Sequence, residues 1–122
     1  MFQGLRTVIY RIKTEDLAQA KNWYSKVLGK APYFDEPFYV GFSVGGFELG
    51  LDPTSEKLTT GNNIQTYWGV PNIELAYARC LKFEATPESE IKNVGGDIRV
   101  ATVRDPFGNI FGLIENPNFK YE

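Results

Sequence analysis

Asp16-Leu17-Ala18-Gln19-Ala20-Lys21-Asn22-Trp23-Tyr24-Ser25-Lys26-Val27-Leu28-Gly29 is the stretch that decides how the rest of the chain is read. Leu17, Ala20, Tyr24, Val27 and Leu28 recur at the spacing of one helix face. Thr14 is placed to cap the helix, Glu15 and Asp16 sit near its positive end, and Gly29 falls just past its last turn. Before it, Arg6 to Ile12 is rich in β-branched and aromatic residues and reads as a strand. After it, Phe38 to Asp52 reads as extended chain broken by Gly45-Gly46, a pair suited to a hairpin turn. A polar linker, Pro53 to Asn63, follows.

The order then repeats. Ile64 to Val70 reads as a strand and Asn72 as a helix cap, and Ile73, Ala76, Tyr77, Cys80 and Leu81 make an apolar helical stripe. A loop through Pro87 leads to an extended stretch from Ile98 to Val103, a tight turn over Asp105-Pro106-Phe107-Gly108-Asn109, and a last strand ending at Glu115. Asp16-Leu17 with Ala20 overlays Asn72-Ile73 with Ala76, and Phe47-Glu48-Leu49-Gly50-Leu51 overlays Asn109-Ile110-Phe111-Gly112-Leu113. These overlays predict an internal duplication. The fold expected is α+β, two similar modules over about 4–53 and 64–117 joined by a linker over about 54–63, in one domain.

Composition bounds the function. A chain of 122 residues buries roughly 60% of its unfolded surface or more, enough for a core without disulfides or a structural metal. Cys80 is the only cysteine, which rules out an intrachain disulfide or thiolate cluster and suits a reducing, cytoplasmic setting. The net charge is −2 with no basic run, so no nucleic-acid partner is expected. No apolar stretch approaches the roughly 20 residues of a membrane helix, and Met1 to Arg6 lacks the apolar core of a secretion signal. The chain has no histidine, which removes Ser-His-Asp and Cys-His triads and two-His-one-carboxylate iron sites. Aromatic residues make up 15%, an excess that must line a core or a cavity.

The helix stretch above resembles the D-L-x-x-A-x-x-F-Y-x-x-x-L-G signature of the vicinal oxygen chelate superfamily, the glyoxalase, bleomycin-resistance and extradiol-dioxygenase group. Asp105-Pro106-Phe107-Gly108-Asn109-Ile110-Phe111-Gly112-Leu113 resembles that family's closing D-P-x-G-N and final strand. The resemblance implies that each module is βαβββ, with curled mixed sheets enclosing a small-molecule cleft, and a homodimer. It also implies, in metal-dependent members, one ligand on the first and one on the last strand of each module. Carried over, the last-strand positions fall on Gly50 and Gly112. The first-strand positions fall at or near Gln65, and at Ile9 or Thr7. One amide and no carboxylate cannot hold a divalent ion tightly, so no metal and no other cofactor is expected.

Strand alternation puts Glu48, Gly50 and Asp52, and likewise Ile110, Gly112 and Ile114, toward the cleft, with Leu49, Leu51, Phe111 and Leu113 toward the core. Arg11 and Tyr67 join the cleft side. Gly50 and Gly112 either bend a curved sheet or clear room for a ligand. Glu48 and Arg11 read as a charged pair; alternatively Arg11 grips a substrate carboxylate, or Glu48, raised by apolar neighbours, accepts a proton. Gln65 is a polar strand residue or a ligand contact. Tyr67, Trp68, Tyr39, Phe42 and Phe107 are core or stacking residues, Trp23 and Tyr24 are packing, and Cys80 is a buried small hydrophobe.

The expected function is metal-independent binding of a small molecule, apolar or aromatic, contacted by Arg11, Glu48, Gly50, Gln65, Tyr67, Ile110 and Gly112. Two alternatives stand beside it: a glyoxalase-like lyase, isomerase or dioxygenase, and a cofactor-free proton-transfer enzyme using Glu48.

Overall fold

A computed structural model describes residues 1, 3, 5–61 and 64–119. Gly4, where the first module was expected to begin, and Asn62 and Asn63 at the end of the expected linker lie outside the described residues. The chain divides into two compact units, residues 1–59 and 60–122.

In the first unit, β1 (Thr7–Lys13) runs into a 3-10 turn (Thr14–Asp16) and then α1 (Leu17–Leu28), followed by β2 (Phe34–Glu36), β3 (Tyr39–Val44) and β4 (Phe47–Thr54). Thr14 therefore opens the 3-10 turn and does not cap α1; Asp16 holds the cap position, without a side-chain hydrogen bond. The sheet order is β1-β4-β3-β2, with β1 parallel to β4 and the other pairs antiparallel. Gly45 and Gly46 have φ of 60° and 88°, the left-handed pair that closes a two-residue hairpin with the twist of the flanking strands. One face of this sheet is the core. Val40, Phe42, Leu49 and Leu51 are buried, and the Tyr24 ring of α1 lies 6.1 Å from Tyr10 and 6.5 Å from Phe42. Trp23 meets Tyr24 edge-on at 4.7 Å, so both aromatics are packing residues, and Phe42 is core.

The second unit repeats the order: β5 (Tyr67–Gly69), α2 (Ile73–Lys82), β6 (Thr86–Asn93), β7 (Arg99–Arg104) and β8 (Ile110–Glu115). Its sheet runs β5-β8-β7-β6, again with one parallel pair. The duplication read from sequence is thus a duplication of topology, and the fold is α+β with two βαβββ modules. Asn72 caps α2, its Oδ1 accepting from Leu75 N at 3.0 Å. Cys80 is buried on that helix, and burial pushes its thiol up to about 11.

Three elements differ from expectation. Pro87 lies inside β6 and not in a loop; β6 is a sheet edge with register shifts on either side of Ser89, where a missing N–H costs no ladder bond. β2 has only three residues between Pro32 and Pro37, too few to show alternation. β5 is shorter than the Ile64 to Val70 stretch expected, so Gln65 precedes the strand. No helix among the described residues is long and apolar enough to cross a membrane.

Candidate functional site

The turn motif at the end of the chain is structural. Asp105 is 3% exposed, and its carboxylate accepts from Phe107 N (2.9 Å), Asn109 N (2.8 Å) and Asn109 Nδ2 (2.9 Å). Glu115, at the end of β8, accepts from Ile73 N at the start of α2 (3.1 Å) and from Arg99 Nη2 (2.8 Å), which also meets Glu74 (2.6 Å). The Arg99 guanidinium, and then the Ile73 N–H, hold Glu115 below the usual carboxylate range. Both networks tie strand ends to neighbouring elements.

The chemistry is concentrated on the first unit's sheet, on the face away from α1. Register places Phe34 beside Gly41, Gly41 beside Gly50 and Gly50 beside Ile9 in one row. Ser43, Glu48 and Thr7 form the next. The Gly45-Gly46 hairpin sets Glu48 and Tyr39 on this face. The Tyr39 ring runs back over Gly50, and its hydroxyl donates to Glu48 Oε2 at 2.7 Å. Tyr33 arrives from the other side, its N–H bonded to Gly41 O at 2.9 Å, and its hydroxyl donates to Glu48 Oε1. Each carboxylate oxygen of Glu48 thus accepts from one phenol.

The two glycines make this clamp possible. A Cβ on Gly50 would overlap Tyr39 Oη and stand 2.6 Å from its Cζ. A Cβ on Gly41 would press Tyr33 Cε1 at 3.1 Å and Tyr39 Cε2 at 3.3 Å. Gly50 therefore neither bends the sheet alone nor leaves an open space; a tyrosine fills the room it clears. Gly112 is different. There a Cβ would overlap the carbonyl oxygen of Thr66, so the backbone entering β5 closes over it.

The electrostatics correct two expectations. Glu48 is held below its ordinary value by the Tyr33 and Tyr39 hydroxyls, against a smaller opposing effect of burial. It is not raised by apolar neighbours, and a carboxylate stabilised in this way is a weaker proton acceptor. The phenols move the opposite way, Tyr33 mainly through its bond to Glu48 and Tyr39 mainly through burial and then that bond. Nor does Arg11 pair with Glu48: its register neighbour is Asp52, and its guanidinium faces Glu56 at 3.8 Å in an exposed pair.

The remaining predicted residues distribute as follows. Ile9 lies opposite Gly50 and is 52% exposed. In the second unit it is Tyr67, not Gln65, that lies opposite Gly112. Gln65 accepts from the Tyr67 hydroxyl at 2.7 Å. Ile110 is buried, Trp68 stacks on Phe111 at 5.6 Å, and Phe107 is half-buried in the turn. Sequence reasoning missed Tyr33 and gave Tyr39 no polar partner. For Tyr39 a signal was present, since pairing Val44 with Phe47 across the Gly-Gly turn puts Tyr39 and Glu48 on one face. For Tyr33, in a loop, there was none.

The positions that the resemblance assigns to metal ligands hold Ile9 or Thr7 with Gly50, and Gln65 with Gly112, whose register neighbour is Tyr67. Neither pair offers an imidazole or a carboxylate, and Tyr39 occupies the space over Gly50. Among the described residues no three His, Cys, Asp or Glu side chains come together as a ligand set. These residues do not fit a divalent ion. A shallow groove of about 280 Å³ beside α1, lined by residues including Leu17, Lys21, Asp35 and Val40, contains none of the clamp residues.

Residues 7–113 match the Glyoxalase/Bleomycin resistance protein/Dioxygenase superfamily. Among solved structures, a glyoxalase-related enzyme from Fulvimarina pelagi superposes with a TM-score of 0.80 at 17% identity, covering 99% of this chain and 94% of that one. A glyoxalase/bleomycin resistance protein from Albidiferax ferrireducens T118 gives 0.77 at 19% identity, covering 93% and 98%. The genomically encoded fosfomycin resistance protein FosX from Listeria monocytogenes gives 0.78 at 14% identity, covering 97% of each. At these identities the likeness is one of fold. No curated protein matches the sequence.

Proposed function

The chain belongs to the Glyoxalase/Bleomycin resistance protein/Dioxygenase superfamily, and we propose that within it the protein binds a small organic molecule without the help of a metal ion, on the outer face of the first sheet around Glu48. The observation that carries this reading is the tyrosine-clamped carboxylate, Tyr33–Glu48–Tyr39, built beside positions that lack metal donors. A carboxylate accepting one hydrogen bond per oxygen is fixed in direction and still has lone pairs for a ligand. Around it, Tyr33 (62%), Phe34 (38%) and Phe38 (67%) expose rings that a small molecule can cover.

The buried, reduced Cys80 is in keeping with a cytoplasmic protein, and assembly as a homodimer rests on the family resemblance alone. The test is metal analysis of the purified protein together with a thermal-shift screen of small aromatic compounds in the wild type and in Tyr39→Phe. The expected result is no stoichiometric metal, and stabilisation by at least one compound that Tyr39→Phe reduces. A stoichiometric divalent ion whose removal lowers the melting temperature would overturn the reading.

A further inference from the structure

We infer that the group received at the Tyr33–Glu48–Tyr39 clamp is an organic cation, an ammonium carried on a small, partly apolar molecule. The inference rests on the proposed binding role of this face and adds its ligand class. Its basis is a charge without a counter-charge among rings. Glu48 accepts two neutral phenolic bonds, and among the described residues no cation pairs with it. The basic side chains nearby have other partners: Arg11 meets Glu56, Lys21 meets Asp35, Arg6 meets Gln3, and Lys30 meets the carbonyl of Ser43, Glu48's register neighbour, and not the carboxylate itself. Lys13 lies at the far end of β1, opposite Thr54. Register brings two more carboxylates to the same face, Asp52 beside Arg11 and Glu36 beside Tyr39. The face is therefore acidic where the rings are.

The rings suit the same ligand. Phe34 lies 6.5 Å from Tyr33, 6.1 Å from Tyr39 and 5.9 Å from Phe38, so a cluster of four rings starts at the two phenols that hold Glu48 and runs through Phe34 to Phe38. Aromatic faces carry negative potential and attract alkylammonium groups, which also bury their carbon surface against them. A carboxylate ligand would meet Glu48 with like charge, and a neutral one would leave the negative charge of Glu48 uncompensated as water is displaced.

Calorimetric titration of the full chain with benzyltrimethylammonium tests this, with benzenesulfonate as the anion of similar size. Saturable binding of the ammonium and none of the sulfonate is expected. Glu48→Gln, which keeps the side chain's shape, should bind the ammonium about tenfold more weakly or worse with an unchanged melting temperature. Tyr39→Phe, which keeps the ring and the charge, should lose less. Equal or better binding of the sulfonate, or undiminished ammonium binding by Glu48→Gln, overturns the inference. So does a chain dimer that Phe38→Glu dissociates and that leaves the ammonium unbound, since the rings then serve self-association. If the ammonium fails but a neutral or anionic compound binds and Tyr39→Phe weakens it, only the ligand class falls. If no compound binds at all, the binding role falls with it.

Discussion

The alternate faces of the two sheets share one register and carry opposite chemistry. Aligning Gly50 with Gly112 sets Glu48 against Ile110, Asp52 against Ile114, Gly41 against Thr102, Tyr39 against Val100 and Ile9 against Tyr67. In the first unit this face is acidic, phenolic and partly open. In the second the polar groups are taken up within the unit: Ile110 is 5% and Thr102 4% exposed, Thr102 meets Ser89 Oγ at 2.8 Å, and Arg104, beside Ile110, pairs with Glu88 at 3.0 Å. The difference teaches that the topology makes a slot beside each last strand without dictating what fills it. One copy fills its slot with a side chain that carries a hydroxyl to a carboxylate. The other fills it with its own backbone, and only the first is left with chemistry to offer.

Exchanging the two faces gives the largest expected effect. Ile110→Glu puts a carboxylate into a buried position, and should cost about 3–5 kcal/mol in denaturant unfolding. The reciprocal Glu48→Ile removes a part-exposed carboxylate whose phenols can turn to water, and should cost under about 1 kcal/mol. Similar costs for both would erase the asymmetry.

The glycines sharpen it next. Gly112→Ala forces a Cβ against backbone at Thr66 and should destabilise by about 2–3 kcal/mol. Gly50→Ala meets only the Tyr39 side chain, which can swing out, so a loss of about 1 kcal/mol or less is expected, with release of Tyr39 from Glu48.

The smallest effect is in pH dependence, and its sign is set by the clamp. Glu48 is held below its ordinary 4.5, so its contribution to stability is complete above that value and is lost as pH falls through the lower folded-state value. Tyr33 and Tyr39 are held above their ordinary 10.0, so their contribution is complete below 10.0 and is lost as pH rises through the higher folded-state values. In an alkaline absorbance titration Tyr33 and Tyr39 should ionise above the ordinary 10.0, and Gly50→Ala should bring Tyr39 back toward it.

The order of β1, α1, β3 and β4 and of β5, α2, β7 and β8, the duplication and the core-facing residues Leu49, Leu51, Phe111 and Leu113 were legible in the sequence, because burial and hydrogen bonding impose periods of two and 3.6 that a linear reading can see; the edge strands β2 and β6 were not. So was the lack of metal donors at Gly50 and Gly112, which follows from residue identity and a hairpin register. What covers each glycine was decided only in three dimensions. Tyr33 reaches Glu48 from a loop, Tyr39 crosses the sheet diagonally, and Thr66 closes on Gly112 through a carbonyl that any residue would supply. Contacts made by loop side chains and by main-chain atoms leave no periodic trace. That is why the fold could be read from the order of residues, while the clamp that gives it a use could not.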